Sequence, residues 1–253
     1  MSKDGNTVVR SNEKSVNIED YIKLYNKGIS LNGIKPLSNQ TYKLFKASGL
    51  DIRIIHRNQT YSNAAAFSKI NHFMLSNDYF YMIPVTTIKG TIVGFIIRGV
   101  VRKDYATVSR TFSSYDKQVP LMFGFDKNFQ KYEEEVEKRG KSLPIIVCEG
   151  SKDCLMLKKY YPYVLANNTS SMGINAQVLR NISNKFLLAY DNDSSGQEGM
   201  KRDKKTLRNL GAYVESLKLH DGYKDCADYL DNPEKFEELK AQIKEKIKKL
   251  YNI

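Results

Sequence analysis

The chain has 253 residues, with 40 Lys and Arg against 28 Asp and Glu, a formal net charge of +12. A composition of 41% hydrophobic and 27% charged residues excludes a mostly disordered chain. No stretch approaches the ~18–20 consecutive apolar residues of a membrane-spanning helix. The polar start, MSKDGNTVVRSNEKS, has no apolar core of a secretory signal. The three cysteines, Cys148, Cys154 and Cys226, form no C-x2-C pair, and an odd number argues against a disulfide framework. A reducing cytoplasm is the expected location. The positive excess, if clustered, favours a polyanionic partner such as nucleic acid; the alternative is a solvated basic surface.

Residues 1–16 read as a flexible tail. Residues 17–76 read as mainly helical, with NIEDYIKLYN and SNQTYKLFKASG each opening on an Asn or Ser cap. From Tyr79 the pattern changes to YFYMIPVTTIKGTIVGFIIRGV, two β-branched and aromatic runs joined at Lys89-Gly90, which predicts a hairpin. A polar stretch over 102–118 follows, and then a charged helix, KNFQKYEEEVEKRG, closing on Gly140.

After Pro144 strands and helices alternate. The runs LPIIVCEG, YVLANN, KFLLAYDND and AYVESLKL are separated by helical segments, which predicts a parallel sheet covered by helices. Ligands of such sheets sit at the carboxyl ends of the strands. Glu149 follows the first strand, Asp191 and Asp193 the third, and Asp225 the fourth. Carboxylates brought together at one edge repel, and divalent cations relieve that repulsion. An all-oxygen set with no Cys/His cluster favours Mg²⁺ or Mn²⁺ over zinc. Taken singly, each acid could merely cap the helix that follows it.

The segments IIVCEGSKDCLML, LLAYDNDSSGQEGMKR and LHDGYKDCADYL resemble a Toprim domain, the phosphotransfer module of DnaG-type primases, topoisomerases and some nucleases. The resemblance covers roughly 144–231. It implies a glutamate at Glu149, a D-x-D pair at Asp191 and Asp193, and an acid at Asp225 of the G-x-K-D loop, with small and basic positions at Gly196, Gly199 and Arg202. Asp153, four residues past Glu149, matches a further acidic position of the family. The family's second fourth-loop acid has moved to Asp228, either a ligand from a shared helix face or a cap of the short helix that follows.

Upstream, Pro84, Gly90, Gly94, Phe95 and Arg98, and the Phe123-Gly124 pair, resemble the DnaG-type primase core from about residue 35. The resemblance implies an α/β protein: an N-terminal helical and β-hairpin subdomain over 17–143, a Toprim domain over 144–231, and an amphipathic helix over 232–253. It implies template-directed synthesis of short RNA primers on single-stranded DNA from ribonucleoside triphosphates, in a bacterial or infected host cell. Asp191, Asp193, Asp225 and Glu149 would hold the metals, and Arg98, Arg102, Lys103, Arg110, Lys117 and Arg202 would contact nucleotide or DNA. No zinc ribbon is present in these residues, and a separate replicative helicase is a candidate partner for the C-terminal helix. The rival readings are a Toprim nuclease and a catalytically degenerate DNA-binding replication subunit.

Overall fold

The computed structural model describes residues 18–30, 44–46, 48, 50–56, 79–99, 122–167, 174 and 176–253. They form two four-stranded sheets that share one core. The first helix, α1 (Ile18–Lys27), turns Tyr21, Leu24 and Tyr25 inward. Their spacing of three and four residues puts them on one face. Strands β1 (Ile29–Ser30), β2 (Arg53–His56), β3 (Tyr79–Thr86) and β4 (Ile92–Gly99) pair antiparallel in that order. Two of these strands correct the reading of 17–76 as mainly helical. Arg53–His56 is too short for periodicity to separate strand from helix, and pairing with Tyr79–Met82 decides it.

The predicted hairpin is present, with Pro84 opposite Phe95 and Gly90 at φ 83° in its turn. Residues 81–85 of β3 are buried without a break. The reason is that both faces are covered. Tyr81, Ile83 and Val85 point into the central core, while Met82 joins Phe95 and Ile97 beneath α1. An antiparallel sheet with one wet face would have alternated.

A 3₁₀ turn (Phe129–Lys131) leads into α2 (Tyr132–Arg139), which ends on Gly140 in the left-handed region at φ 63°. Strands β5 (Ile145–Cys148), β6 (Val164–Ala166), β7 (Lys185–Ala189) and β8 (Tyr213–Ser216) form the second sheet, all parallel, in the order β6-β5-β7-β8. Helices α3 (Ser151–Leu157), α4 (Ala176–Ile182) and α5 (Ser194–Asn209) connect them. Alternate residues of the central strands feed two cores. Ile146, Cys148, Leu187 and Ala189 pack with α3 and the last helix; Ile145, Val147, Phe186 and Leu188 pack with α2, α4 and α5. The last helix, α6 (Pro233–Tyr251), starts on Pro233 and is capped by Asn232, whose Oδ1 accepts from Lys235 N at 3.1 Å. It buries Leu239, Ile243, Ile247 and Leu250 against this chain's own sheet.

The segment between the two sheets adds to the second one at Phe123, which exchanges backbone hydrogen bonds of 2.9 and 2.7 Å with Ala166 on the edge strand β6. Gly124, at φ 121°, lies where a Cβ would come within 2.4 Å of Val164 O, so this approach requires glycine. Thr86 Oγ1 donates to Phe125 O at 2.6 Å, and Lys158 pairs with Asp126 at 3.0 Å, each side chain only 10% exposed. All three cysteines are free and buried. Among the described residues no helix is long and apolar enough to cross a membrane.

Candidate metal centre

The parallel register sets Cys148 beside Ala189, so the residues after β5 and β7 emerge at one edge. There the backbone N–H of Asp191 donates to Glu149 Oε1 at 3.1 Å. Gly196 makes this closeness possible: a Cβ there would sit 2.5 Å from Glu149 Oε1 and 2.4 Å from Asp191 O. Asp193 caps α5, its Oδ1 accepting from Gly196 N at 2.9 Å, and its side chain remains 45% exposed. The fourth loop is tied on by Asn192 N donating to Lys224 O at 2.7 Å.

Asp225 opens a 3₁₀ helix (Cys226–Asp231) by accepting from Asp228 N at 2.9 Å. Asp228 reciprocates. Its Oδ2 accepts from Lys224 N at 2.8 Å and Asp225 N at 3.3 Å, a capping box that turns the carboxylate back onto its own loop. Asp228 thus makes the capping contacts of its own loop. Asp153 is 6% exposed on α3, and its Oδ1 accepts from Ala227 N at 2.9 Å.

The electrostatics follow from crowding. Burial, with Glu149 and Asp225 beside it, pushes the Asp191 carboxyl up to about 7. Burial, followed by the charges of Asp225 and Asp191, pushes Asp153 up to about 7 as well. Asp225 is raised by burial and by Asp228. One cation already answers this field: Lys224 Nζ stands 3.5 Å from Asp193 Oδ2 and 3.8 Å from Asp191 Oδ2, and its own proton affinity is raised chiefly by Asp191.

An all-carboxylate donor set that holds protons this strongly suits hard divalent cations such as Mg²⁺ or Mn²⁺. It is not a closed cage: among the described residues no three His, Cys, Asp or Glu side chains stand in ready metal-holding geometry.

Of the residues expected to contact nucleotide or DNA, Arg98, on β4, pairs through its backbone with Tyr81 of β3. Arg102, Lys103, Arg110 and Lys117 lie outside the described residues, as does the SSMG loop over 170–173. Arg202 Nε donates to Asp203 Oδ1 at 2.9 Å, and the buried Asp203 also accepts from Tyr190 OH at 2.7 Å. Sequence reasoning missed Asp203 because it is hidden in the charge run KRDKK. Lys224 was read only as the lysine of the G-x-K-D loop, with no role of its own.

Residues 146–230 match the Toprim-like family model. No curated protein matches the sequence. Among solved structures, the Aquifex aeolicus primase (zinc-binding and RNA polymerase domains) is similar at 19% identity and a TM-score of 0.59, over 91% of this chain and 60% of that one. The chain therefore spans less than two thirds of that relative. A DnaG primase catalytic domain bound to single-stranded DNA is similar at 18% identity and TM-score 0.55, over 90% of this chain and 80% of that one. The primase fragment of the bacteriophage T7 primase-helicase protein is similar at 16% and 0.50, over 78% and 72%. The chain carries a Toprim-like domain, set in the fold of the DnaG-type primase catalytic cores.

Proposed function

We propose that this chain polymerises short RNA primers on single-stranded DNA from ribonucleoside triphosphates. The observation that supports this most directly is the convergence of Glu149, Asp191 and Asp225 at one sheet edge, in a chain whose antiparallel N-terminal sheet packs into the same core. Asp191, Asp193, Asp225 and Glu149 would hold Mg²⁺ or Mn²⁺, which supply positive charge at the transferring phosphate. Glu149, oriented by the Asp191 N–H, either completes that ligand set or takes the proton of the attacking hydroxyl.

The primer 3′-oxygen bonds to the α-phosphorus, the bond to pyrophosphate breaks, and the hydroxyl proton passes to a carboxylate or to water. Lys224, already drawn to Asp191 and Asp193, is placed to pair with triphosphate oxygens once those acids are otherwise neutralised. Arg98, Arg102, Lys103, Arg110, Lys117 and Arg202 are the proposed contacts to template and nucleotide, and a separate replicative helicase is the proposed protein partner. The Asp153–Ala227 tie and the Asp228 capping box keep Asp225 facing the other acids.

The test is incubation with single-stranded DNA, labelled ribonucleotides and Mg²⁺ or Mn²⁺. Oligoribonucleotides that vanish in Asp191→Ala support the proposal. Shortened DNA in their place assigns a nuclease, and neither product leaves a DNA-binding subunit.

A further inference from the structure

A groove of about 660 Å³ opens at the other end of the parallel sheet. Its walls come from the segments that enter β5 and β6 and from the second half of α6, whereas the acidic cluster sits where β5 and β7 exit. The volume is within the range of sites that enclose a small ligand or a few side chains. The floor is apolar: Tyr160, Tyr161, Ile243 and Ile247. Tyr160 is 39% exposed, one of few large hydrophobic side chains so exposed among the described residues.

The rim is cationic. Arg139, Lys141, Lys240, Lys244 and Lys248 line the groove, and among the described residues no carboxylate does. Arg139 is paired with Glu135 and Lys240 with Glu237. Lys141, Lys244 and Lys248 have no carboxylate within 4.0 Å among the described residues. Lys244 and Lys248 are both exposed and sit one helical turn apart on α6, so their charges point the same way.

Among macromolecules, a nucleic-acid strand and an acidic peptide both carry the negative charge that such a rim attracts. A single strand held by base stacking as well as by its phosphates would need free ring faces. The Lys240 ammonium already lies 4.6 Å from the Tyr160 ring centroid, with Phe236 edge-on at 4.7 Å. Lys141 lies 5.6 Å from the Tyr251 centroid and donates to Tyr251 O at 3.2 Å. Tyr160 and Tyr251 are engaged by the chain's own groups, and the apolar floor that remains is formed by Tyr161, Ile243 and Ile247 inside a rim of arginine and lysine side chains. Apolar anchors bind in such pockets, and the surrounding charges steer the partner in.

We infer that the groove between α6 and the Tyr160–Tyr161 turn is a docking site for an acidic peptide segment of a partner protein, carrying one or two apolar anchor side chains. It is independent of the carboxylate site.

The probe is a short fluorescein-labelled peptide of Asp and Glu with one Leu and one Phe, titrated by anisotropy. Binding to the full chain is expected, weakening at least tenfold in K244E/K248E, and at least tenfold when Leu and Phe of the peptide become Gly. Circular dichroism checks the fold of the variant; if the charge reversal disturbs it, K244Q/K248Q carries the same test with a smaller loss. Absence of peptide binding at about 1 mM, or equal binding to wild type and a folded variant, overturns the inference. It is also overturned if labelled oligothymidylate binds, depends on Lys244 and Lys248, and is not displaced by the peptide, which assigns the groove to nucleic acid.

Discussion

The Asp153 carboxylate accepts a hydrogen bond from the backbone N–H of Ala227 at 2.9 Å, joining the helix after β5 to the loop that carries Asp225. The two residues are 74 apart in sequence. The bond is buried, so its loss leaves a donor unsatisfied, at a cost of about 1–3 kcal/mol. Asp153→Ala is therefore expected to lower stability in urea unfolding by that amount. Asp153→Asn keeps an acceptor and removes a charge that Asp225 and Asp191 oppose, so it should equal or exceed wild type without metal. An Asn variant as unstable as the Ala variant would show that the charge, not the acceptor, matters.

The acidic cluster makes stability depend on pH with a defined sign. Asp153 and Asp191 hold their protons up to about 7 in the folded chain, against ~3.9 for an unfolded aspartate. Between these values the folded state binds more protons, so stability falls as pH rises from about 4 to 7 and stays low above. Asp191→Asn should be more stable than wild type in chelator at pH 8, by on the order of 1–3 kcal/mol, with the gap closing near pH 4. Mg²⁺ should raise the wild-type melting temperature more at pH 8 than at pH 5. A stability profile flat between pH 4 and 8 would contradict the crowding of these acids.

The fourth loop separates two neighbouring acids. Asp225→Asn should raise the metal concentration for half-maximal activity by about tenfold or more, the scale of ~1.4 kcal/mol. Asp228→Asn retains an oxygen that can accept from Lys224 N and Asp225 N, and should leave that concentration nearly unchanged. Asp228→Ala loses the cap, at about 0.5–2 kcal/mol of stability. Metal titrations and urea curves on the three variants distinguish these outcomes.

Asp193 has two duties. It caps α5 through Gly196 N and faces Lys224 at 3.5 Å. Asp193→Ala should abolish primer synthesis and cost about 1 kcal/mol of stability, whereas Asp193→Asn should abolish synthesis with the stability largely kept. A retained rate in either variant at saturating metal removes Asp193 from the ligand set.

Single-stranded DNA binding should weaken steeply with salt, because each phosphate contact releases condensed counterions. The slope of log affinity against log salt is expected to be about −0.7 per contact. A slope near zero would remove nucleic acid as the reason for the +12 charge.

How far the sequence alone reached depends on the range of the forces involved. The parallel sheet was legible because β5 and β7 are buried on both faces, and such strands are written as unbroken apolar runs. The hairpin was legible from Gly90, and the end of α2 from Gly140, because left-handed backbone selects glycine locally. The strand-end positions of Glu149, Asp191, Asp193 and Asp225 followed once the strands were placed. The strands at Ile29–Ser30 and Arg53–His56 were not legible, since their identity comes from partners elsewhere in the chain. Whether Asp228 faced the acids or its own loop was decided by two backbone N–H groups that spacing does not reveal. That Asp153 anchors the fourth loop, and that Lys224 stands between Asp191 and Asp193, also depended on tertiary structure. Turn chemistry and burial periodicity act over a few residues and leave a trace in the sequence; hydrogen bonds and ion pairs between distant loops exist only after the sheet has brought those loops to one edge.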